Sequence, residues 1–358
     1  MKKALIAMSG GVDSSVAAKL VCDMGIECIG CTMKLYNNED IGKSGRTCCS
    51  LNDTEDARSV AKRLSMPYYV FNFSDDFKEK VIDKFICSYE NGFTPNPCIE
   101  CNRYMKFEKL YERAKILGCD YIVTGHYARI EKSGDKYVLK KALDKSKDQS
   151  YVLFSMTQDE LAHTLFPLGE LHKSQTRKIA EESGFINADK PDSQDICFVP
   201  DGNYADVIEH YTGKKYESGK FVDVNGREIG THKGIIHYTV GQRKGLGLSL
   251  GHPTYTVKIV PDENKVVVGE EKDLYGSDFD VEDFHLISGE IAKEPFACKV
   301  KTRYRQSEQA ATVTPTGNYS VKIHFDAPQR AITPGQFAVL YDGDTVLGGG
   351  MIVKTGDD

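Results

Sequence analysis

Near the start of the chain, Ser9, Gly10, Gly11, Val12, Asp13, Ser14 and Ser15 form a compact run of glycine, hydroxyl and acid. Glycines permit backbone conformations and close approaches that a Cβ would block. The N–H groups of such a loop, with a helix N-terminus behind them, make an anion site. Ser9, Ser14 and Ser15 add hydroxyl donors, and Asp13 is suited to hold a magnesium ion among phosphate oxygens. An ordinary strand–turn–helix corner capped by Ser or Asp is the plainer alternative. The loop is not a Walker A sequence, because no Gly-Lys-Ser/Thr follows it.

Cysteines supply the second set. Cys98 and Cys101 form a C-x-x-C ahead of a helix expected over 107–117. At such an N-terminus the helix dipole is expected to lower a thiol pKa and raise the thiolate fraction. A zinc ribbon would need a second Cys or His pair, and none follows at suitable spacing. Redox or nucleophilic chemistry is therefore preferred to structural zinc. Cys48 and Cys49 are adjacent, a poor geometry for two ligands on one ion. Cys197, between Ile196 and Phe198, reads by itself as an ordinary buried cysteine. Cys22, Cys28, Cys87, Cys119 and Cys298 read as packing residues.

Basic residues recur in three short stretches. Lys299–Arg305, KVKTRYR, read as a strand would project Lys299, Lys301, Arg303 and Arg305 from one face at steps of about 7 Å. That spacing suits a phosphate backbone, although by itself the stretch reads slightly better as the solvated face of an edge strand. The loops 145–149 and 242–244 are the other two.

The surrounding pattern says what must position these residues. The 358 residues leave room for two or three domains, and 40% hydrophobic content supports ordinary cores. No apolar run reaches membrane-span length, and no signal-peptide pattern opens the chain. Eleven scattered cysteines do not read as a secreted disulfide framework, so a cytoplasmic setting with reduced thiols is expected. The net charge of −6 means that a nucleic acid would be met by local patches. Alternating strands and helices over roughly the first 200 residues predict an α/β parallel sheet. Strands are expected at 27–35, 68–73 and 121–124, helices at 53–64, 75–91 and 174–182, and a hairpin at 130–143. The loops after successive strands should then share one crevice, bringing together Ser9–Ser15, Met33, the segment after Phe73, and Gly125-His126. Beyond residue 213, β-like runs dominate, with an Asn-Gly hairpin at 225–226 and a small all-β unit over 296–353 for which a barrel is one expectation.

SGGVDSS resembles the pyrophosphate loop of the ATP pyrophosphatase superfamily. Together with TPNPCIECNRYMKF, YIVTGHYAR, KDQSYVLF, PDSQDICFVPDG, YTVGQRKGLG, VKTRYRQ, TPGQFAVLYDG and LGGGMI, it makes nearly the whole chain resemble the tRNA-specific 2-thiouridylases of the MnmA family. The resemblance implies a nucleotide-binding α/β domain over 1–205, a central tRNA-contacting domain over 206–282 and a C-terminal β-barrel over 283–358. It implies ATP-dependent adenylation of O2 of the wobble uridine at tRNA position 34, then replacement of that oxygen by sulfur. ATP with Mg2+ would meet Ala7, Met8, Ser9, Gly10, Gly11, Val12, Asp13, Ser14, Met33 and Gly125. Cys197 would carry a persulfide, and Cys101 would be the nucleophile that forms a disulfide with it. Asn96, Pro97 and Cys98 would lie at the target base. His126, Lys147, Asp148, Gln149, Arg303, Tyr304 and Gln336 would touch tRNA. Lys, Glu and Gln tRNAs are the implied substrates, and a cysteine desulfurase or sulfur-relay protein is the implied donor. Well-known members carry Asp, a general base, where this chain has Cys98. A thiolate base is one reading of the swap; a [4Fe-4S] cluster on Cys98, Cys101 and Cys197 is the other. Another adenylating ligase of the superfamily, or a non-enzymatic nucleotide-sensing RNA binder, are the rival functions.

Overall fold

The computed structural model describes residues 1–37, 51–192, 196–199 and 202–356; Cys48 and Cys49 lie outside the described residues. Strands β1 (Lys3–Ala7), β2 (Glu27–Lys34), β3 (Tyr68–Asn72) and β4 (Tyr121–Val123) are parallel. The hairpin strands β5 (Ala128–Ser133) and β6 (Lys136–Lys141) follow, and then β7 (Thr164–Leu165) completes the sheet in the order β3-β2-β1-β4-β7.

Alternation along β1 builds both faces. Ala4 and Ile6 pack with helix α1 (Val12–Asp23) and helix α2 (Leu51–Arg63), through Val16, Ala17, Val21, Ala57, Val60 and Ala61. Leu5 faces the other way, into a cluster with Phe77, Phe85, Met105, Phe107 and Leu110. That cluster is supplied by two long helices, 74–90 and 97–116, each containing a π-helical segment (Lys78–Ile82 and Cys101–Lys109). The second helix begins ten residues before the 107 expected from sequence. Cys98 and Cys101 are therefore inside it rather than ahead of it.

A helix at Tyr204–Thr212 leads into a four-stranded unit of β8 (Gly219–Asp223), β9 (Glu228–His232), β10 (Tyr255–Val260) and β11 (Lys265–Gly269), ordered β10-β11-β8-β9. The expected Asn-Gly turn is present: Gly226 has φ +83°, and the Asp223 carboxylate accepts from the N–H groups of Asn225 and Arg227 at 2.9 Å.

The last unit comprises β12 (Tyr275–Leu286), β13 (Phe296–Lys301), β14 (Gln309–Gly317), β15 (Ser320–Arg330), β16 (Phe337–Asp342) and β17 (Thr345–Thr355). These strands run β12-β15-β14-β13-β16-β17, and a β12–β17 pairing closes them into a six-stranded barrel. Its interior is filled by Phe279, Val281, Val300, Ile323, Phe325 and Leu340. The β5–β6 hairpin leaves its own domain and extends this sheet, with Leu139 opposite Val346 and Lys140 opposite Thr345. No helix among the described residues is long and apolar enough to cross a membrane.

Candidate active site and tRNA-facing surface

The strand order reverses between β1 and β4, which places a crevice at their carboxyl ends. The loop 8–11 leaves β1 at that point. Gly10 takes φ +76°, and Gly11 caps α1 without a side-chain bond. The first-turn N–H groups are thereby aimed at an anion. Thr32 Oγ1 donates to Met8 O at 2.6 Å, and the Ser14 and Ser15 hydroxyls donate to Gly11 O at 3.0 Å. Gly125, after β4, comes so close that a Cβ would sit 2.7 Å from Ser14 N and 2.8 Å from Asp13 C. Of the crevice expected from sequence, the loop and Gly125 meet, and Met33 is partly buried near the end of β2.

A ring of charge around this loop escaped the sequence reading. Lys173, opening the helix Lys173–Glu182, holds Asp13 at 2.7 Å and Asp192 at 2.8 Å. Asp192 is also paired with Lys147 and Arg177, each at 2.9 Å. Burial alone would push its carboxyl up, yet the Lys173 and Lys147 hydrogen bonds outweigh burial and hold it at about 2. Lys190 reaches Asp53, Asp56 and the Gly10 carbonyl, while Asn187 donates to Gly10 O and Ser15 Oγ at 2.9 Å. Lys190 directly precedes the PDSQDICF motif and Asp192 is its second residue, a usable signal. Lys173 has no local signal, because its partner Asp13 is 160 residues away. Asp13, expected to bind magnesium, is in this state the partner of Lys173 and accepts from Tyr127 OH at 2.9 Å.

Cys101 and Cys197 both pack against the apolar cluster that also takes Ala7 and Met33. Phe198 anchors the Cys197 turn by edge-on contacts with Phe77 (5.8 Å) and Phe85 (5.1 Å), and Tyr36 OH donates to Cys197 O at 2.6 Å. None of the nine described cysteines is in a disulfide. The sequence-based expectation of a lowered Cys101 thiol is reversed: burial pushes it up, and the Lys106 ammonium only partly offsets that. The dipole argument fails because Cys101 lies a turn inside the helix rather than before it. Cys87, expected to pack, is exposed. Cys98 is exposed at the first turn, beside Tyr304. Among the described residues no three His, Cys, Asp or Glu side chains gather as a ligand set, so the three cysteines do not fit a cluster in this arrangement.

The expected tRNA-facing residues divide into two groups. Tyr304 OH donates to Asp148 O at 3.1 Å, and the Gln149 carboxamide accepts from Tyr127 N at 3.0 Å, so 147–149, 304 and Cys98 share one side of the site. Asn96 caps the cysteine helix, with Pro97 in its first turn. Gln336 Nε2 donates to Thr94 O at 2.7 Å, and the barrel loop thereby braces the segment entering Asn96 and Pro97. Arg303 does not stand on a cationic strand face. β13 ends at Lys301, because Thr302 turns the chain by binding the Gln306 carboxamide through its N–H and Oγ1. Arg303 Nη2 then reaches Val240 O (3.0 Å), Ala331 O (3.1 Å) and Thr333 Oγ1 (2.6 Å), joining the central unit to the barrel. His126 is 7% exposed and lies inside the fold.

Comparison with known proteins places these motifs. Residues 2–201 match the family model described as tRNA methyl transferase HUP domain, 205–270 the tRNA methyl transferase PRC-barrel domain, and 277–352 the Aminomethyltransferase beta-barrel domain. A protein of Clostridioides difficile (strain 630), named tRNA-specific 2-thiouridylase MnmA, is 48% identical over 356 residues, covering 99% of each chain. The chain belongs to the MnmA family. MnmA proteins of Acetivibrio thermocellus and Lachnoclostridium phytofermentans are 48% and 47% identical, covering 98% and 99% of this chain and 99% and 100% of their own. In this family's domain order, the loop 8–14 and Gly125 meet at the carboxyl end of β1 in the HUP domain, and the barrel loops reach that domain through Tyr304 to Asp148 O and Gln336 to Thr94 O.

Proposed function

We propose that this MnmA-family chain is a tRNA-uridine 2-sulfurtransferase that converts the wobble uridine of tRNA to 2-thiouridine. ATP is bound by 7–14, Met33 and Gly125 and adenylates O2 of the base. A uracil oxygen leaves poorly and AMP leaves well, so adenylation makes C2 open to a sulfur nucleophile. The terminal sulfur of a Cys197 persulfide attacks C2, and the C–O bond breaks with the oxygen departing on AMP. Cys101 thiolate then attacks Cys197 Sγ. The S–S bond to the transferred sulfur breaks, its electron pair stays on the uridine sulfur, and a Cys101–Cys197 disulfide forms. An external thiol reductant restores both cysteines. What supports this reading is the Gly10–Ser14 anion loop at the end of β1, with Cys101 and Cys197 both packed against the core on the Leu5 face of the same sheet.

Asn96, Pro97 and Cys98 receive the unstacked base, and Lys147–Gln149 with Tyr304 and Gln336 meet the surrounding nucleotides. Magnesium would share Asp13 with the phosphates, which requires Lys173 to yield its place there. A cysteine desulfurase or relay protein loads Cys197, in the cytoplasm where Lys, Glu and Gln tRNAs are met. The domain limits 1–205, 206–282 and 283–358 belong to the same proposal. The iron–sulfur reading carries no step here, because the ligand set does not gather.

Anaerobic protein with measured iron and sulfide, given ATP, a persulfide donor and tRNA, tests this in a single turnover. Iron-free enzyme should release AMP and pyrophosphate with each thiolated uridine. Cys101→Ser and Cys197→Ser should each abolish thiolation and leave ATP binding intact. Substantial thiolation by either variant overturns the assigned roles.

A further inference from the structure

Lys106 follows Cys101 by five residues inside a π-helical segment, Cys101–Lys109. On an α-helix, five residues correspond to a rotation of about 140°, which would put the two side chains on nearly opposite walls. The i to i+5 pattern of the π-helix, visible where Leu110 N–H reaches Met105 O, brings them back to one wall, a turn apart. Such bulges cost regular hydrogen bonding and are frequent at functional sites.

The Lys106 ammonium is held from its far side. His126 Nε2 lies 3.3 Å from Lys106 Nζ, and His126 Nδ1 lies 2.7 Å from Thr124 Oγ1. The imidazole is wedged between Phe107 (6.2 Å) and Phe166 (5.8 Å, edge-on). Because the ammonium has no acceptor, the Nε2 facing it must be an unprotonated acceptor. Nδ1 then carries the proton and donates to Thr124. Burial and the Lys106 charge both hold His126 well below the ordinary imidazole range, in keeping with that tautomer. The groups facing His126 are thus Lys106 from the cysteine helix, Thr124 from the end of β4 and two uncharged rings. Among the described residues, Lys106 supplies the charge that acts on Cys101.

We propose that Lys106, fixed by a neutral His126 that is itself oriented by Thr124, is the counter-charge that raises the thiolate share of the partly buried Cys101 sulfur. Lys106 is a positioning residue acting through Cys101, and His126 acts through Lys106 rather than by touching tRNA. A partly buried sulfur packed against an apolar wall resists ionisation, and one fixed cation offsets part of that. The inference rests on the reading of Cys101 as the nucleophile, and its test is separate from that reading.

The test is the pH profile of Cys101 alkylation by iodoacetamide on the full chain, followed by mass spectrometry of the Cys101 peptide. Lys106→Met should slow Cys101 alkylation at pH 8 about three- to tenfold and move its profile to higher pH, while Lys106→Arg stays near wild type. His126→Ala should act in the same direction as Lys106→Met and leave tRNA affinity within about twofold. An unchanged alkylation profile in Lys106→Met overturns the proposal. So does a His126→Ala variant that loses tRNA affinity with Cys101 reactivity intact. If Lys106→Met misfolds, the His126→Ala and Lys106→Arg profiles decide alone. Thiolation that survives Cys101→Ser would remove the nucleophile reading without touching the alkylation result.

Discussion

Arg303→Ala separates two physical roles that look alike in sequence. As a phosphate contact, the guanidinium would release a counterion on binding, and its loss would reduce the salt slope of tRNA affinity by roughly 0.7–0.9. In the structure, Nη2 is instead spent on Val240 O, Ala331 O and Thr333 Oγ1, and Nε is buried without a partner. Hydrogen bonds from a charged donor contribute about 1.5–3 kcal/mol each. Burial of the guanidinium opposes them, and Thr333 Oγ1 still has Ala331 O at 2.8 Å after truncation. A net loss of about 2 kcal/mol at the junction of central unit and barrel follows. If all of it appears in binding, tRNA affinity falls about thirtyfold. Filter binding at five salt concentrations measures both quantities. Affinity should fall with the slope within about 0.3 of wild type, and Arg303→Lys should behave like Arg303→Ala, since a lysine ammonium ends one bond short of Nη2 and lacks the planar fork. A slope change near one, or rescue by lysine, would refute the strut and restore the phosphate contact.

Two further outcomes follow from the nucleotide end of the crevice. Gly125→Ala would place a Cβ 2.7 Å from Ser14 N, against backbone that has no room to retreat, so ATP binding should weaken more than about tenfold. Gly276→Ala, with nothing within 4 Å, should leave ATP-dependent thermal stabilisation unchanged, and wild-type stabilisation in Gly125→Ala would contradict the close approach. Asp192 has a folded pKa of about 2, below the usual unfolded value near 3.9, so its contribution to stability is complete above about pH 4 and is lost as pH falls toward 2. Asp192→Asn should therefore remove part of the acid limb, flattening stability between about pH 5 and pH 2 in circular-dichroism denaturation. An unaltered acid limb would mean that Lys147, Lys173 and Arg177 do not depend on it.

What could be read from sequence, and what could not, follows from the range of the forces involved. The strand, Gly10-Gly11 turn and α1 were legible because every determinant lies within about twenty residues: alternation in β1, glycine freedom, then helical spacing. The crevice followed because parallel β1 and β4 must open their loops on one edge. The hairpin 128–141 was also legible, but its place in the barrel sheet was not, since Leu139 meets Val346 across more than 200 residues. KVKTRYR misled for a local reason. Its alternation is real, but the Thr302–Gln306 turn ends the strand after Lys301 and folds Arg303 inward.

The cysteine helix misled through its period. Apolar spacing near 3.6 begins only at Phe107, so the π-helical stretch before it looked like a loop, and Cys101 looked exposed to a helix terminus. Once the i to i+5 register is in place, the same residues give the opposite electrostatics: a partly buried thiol pushed up by its surroundings, with Lys106 carried round to its side and His126 behind the lysine. The sequence motif CNRYMKF and the strand end TGH therefore meet through the residue five positions after the cysteine. Cys101 activation is then a property of the helical register, and a change that restored regular α-helix between 101 and 109 should silence the thiol without altering any of these side chains.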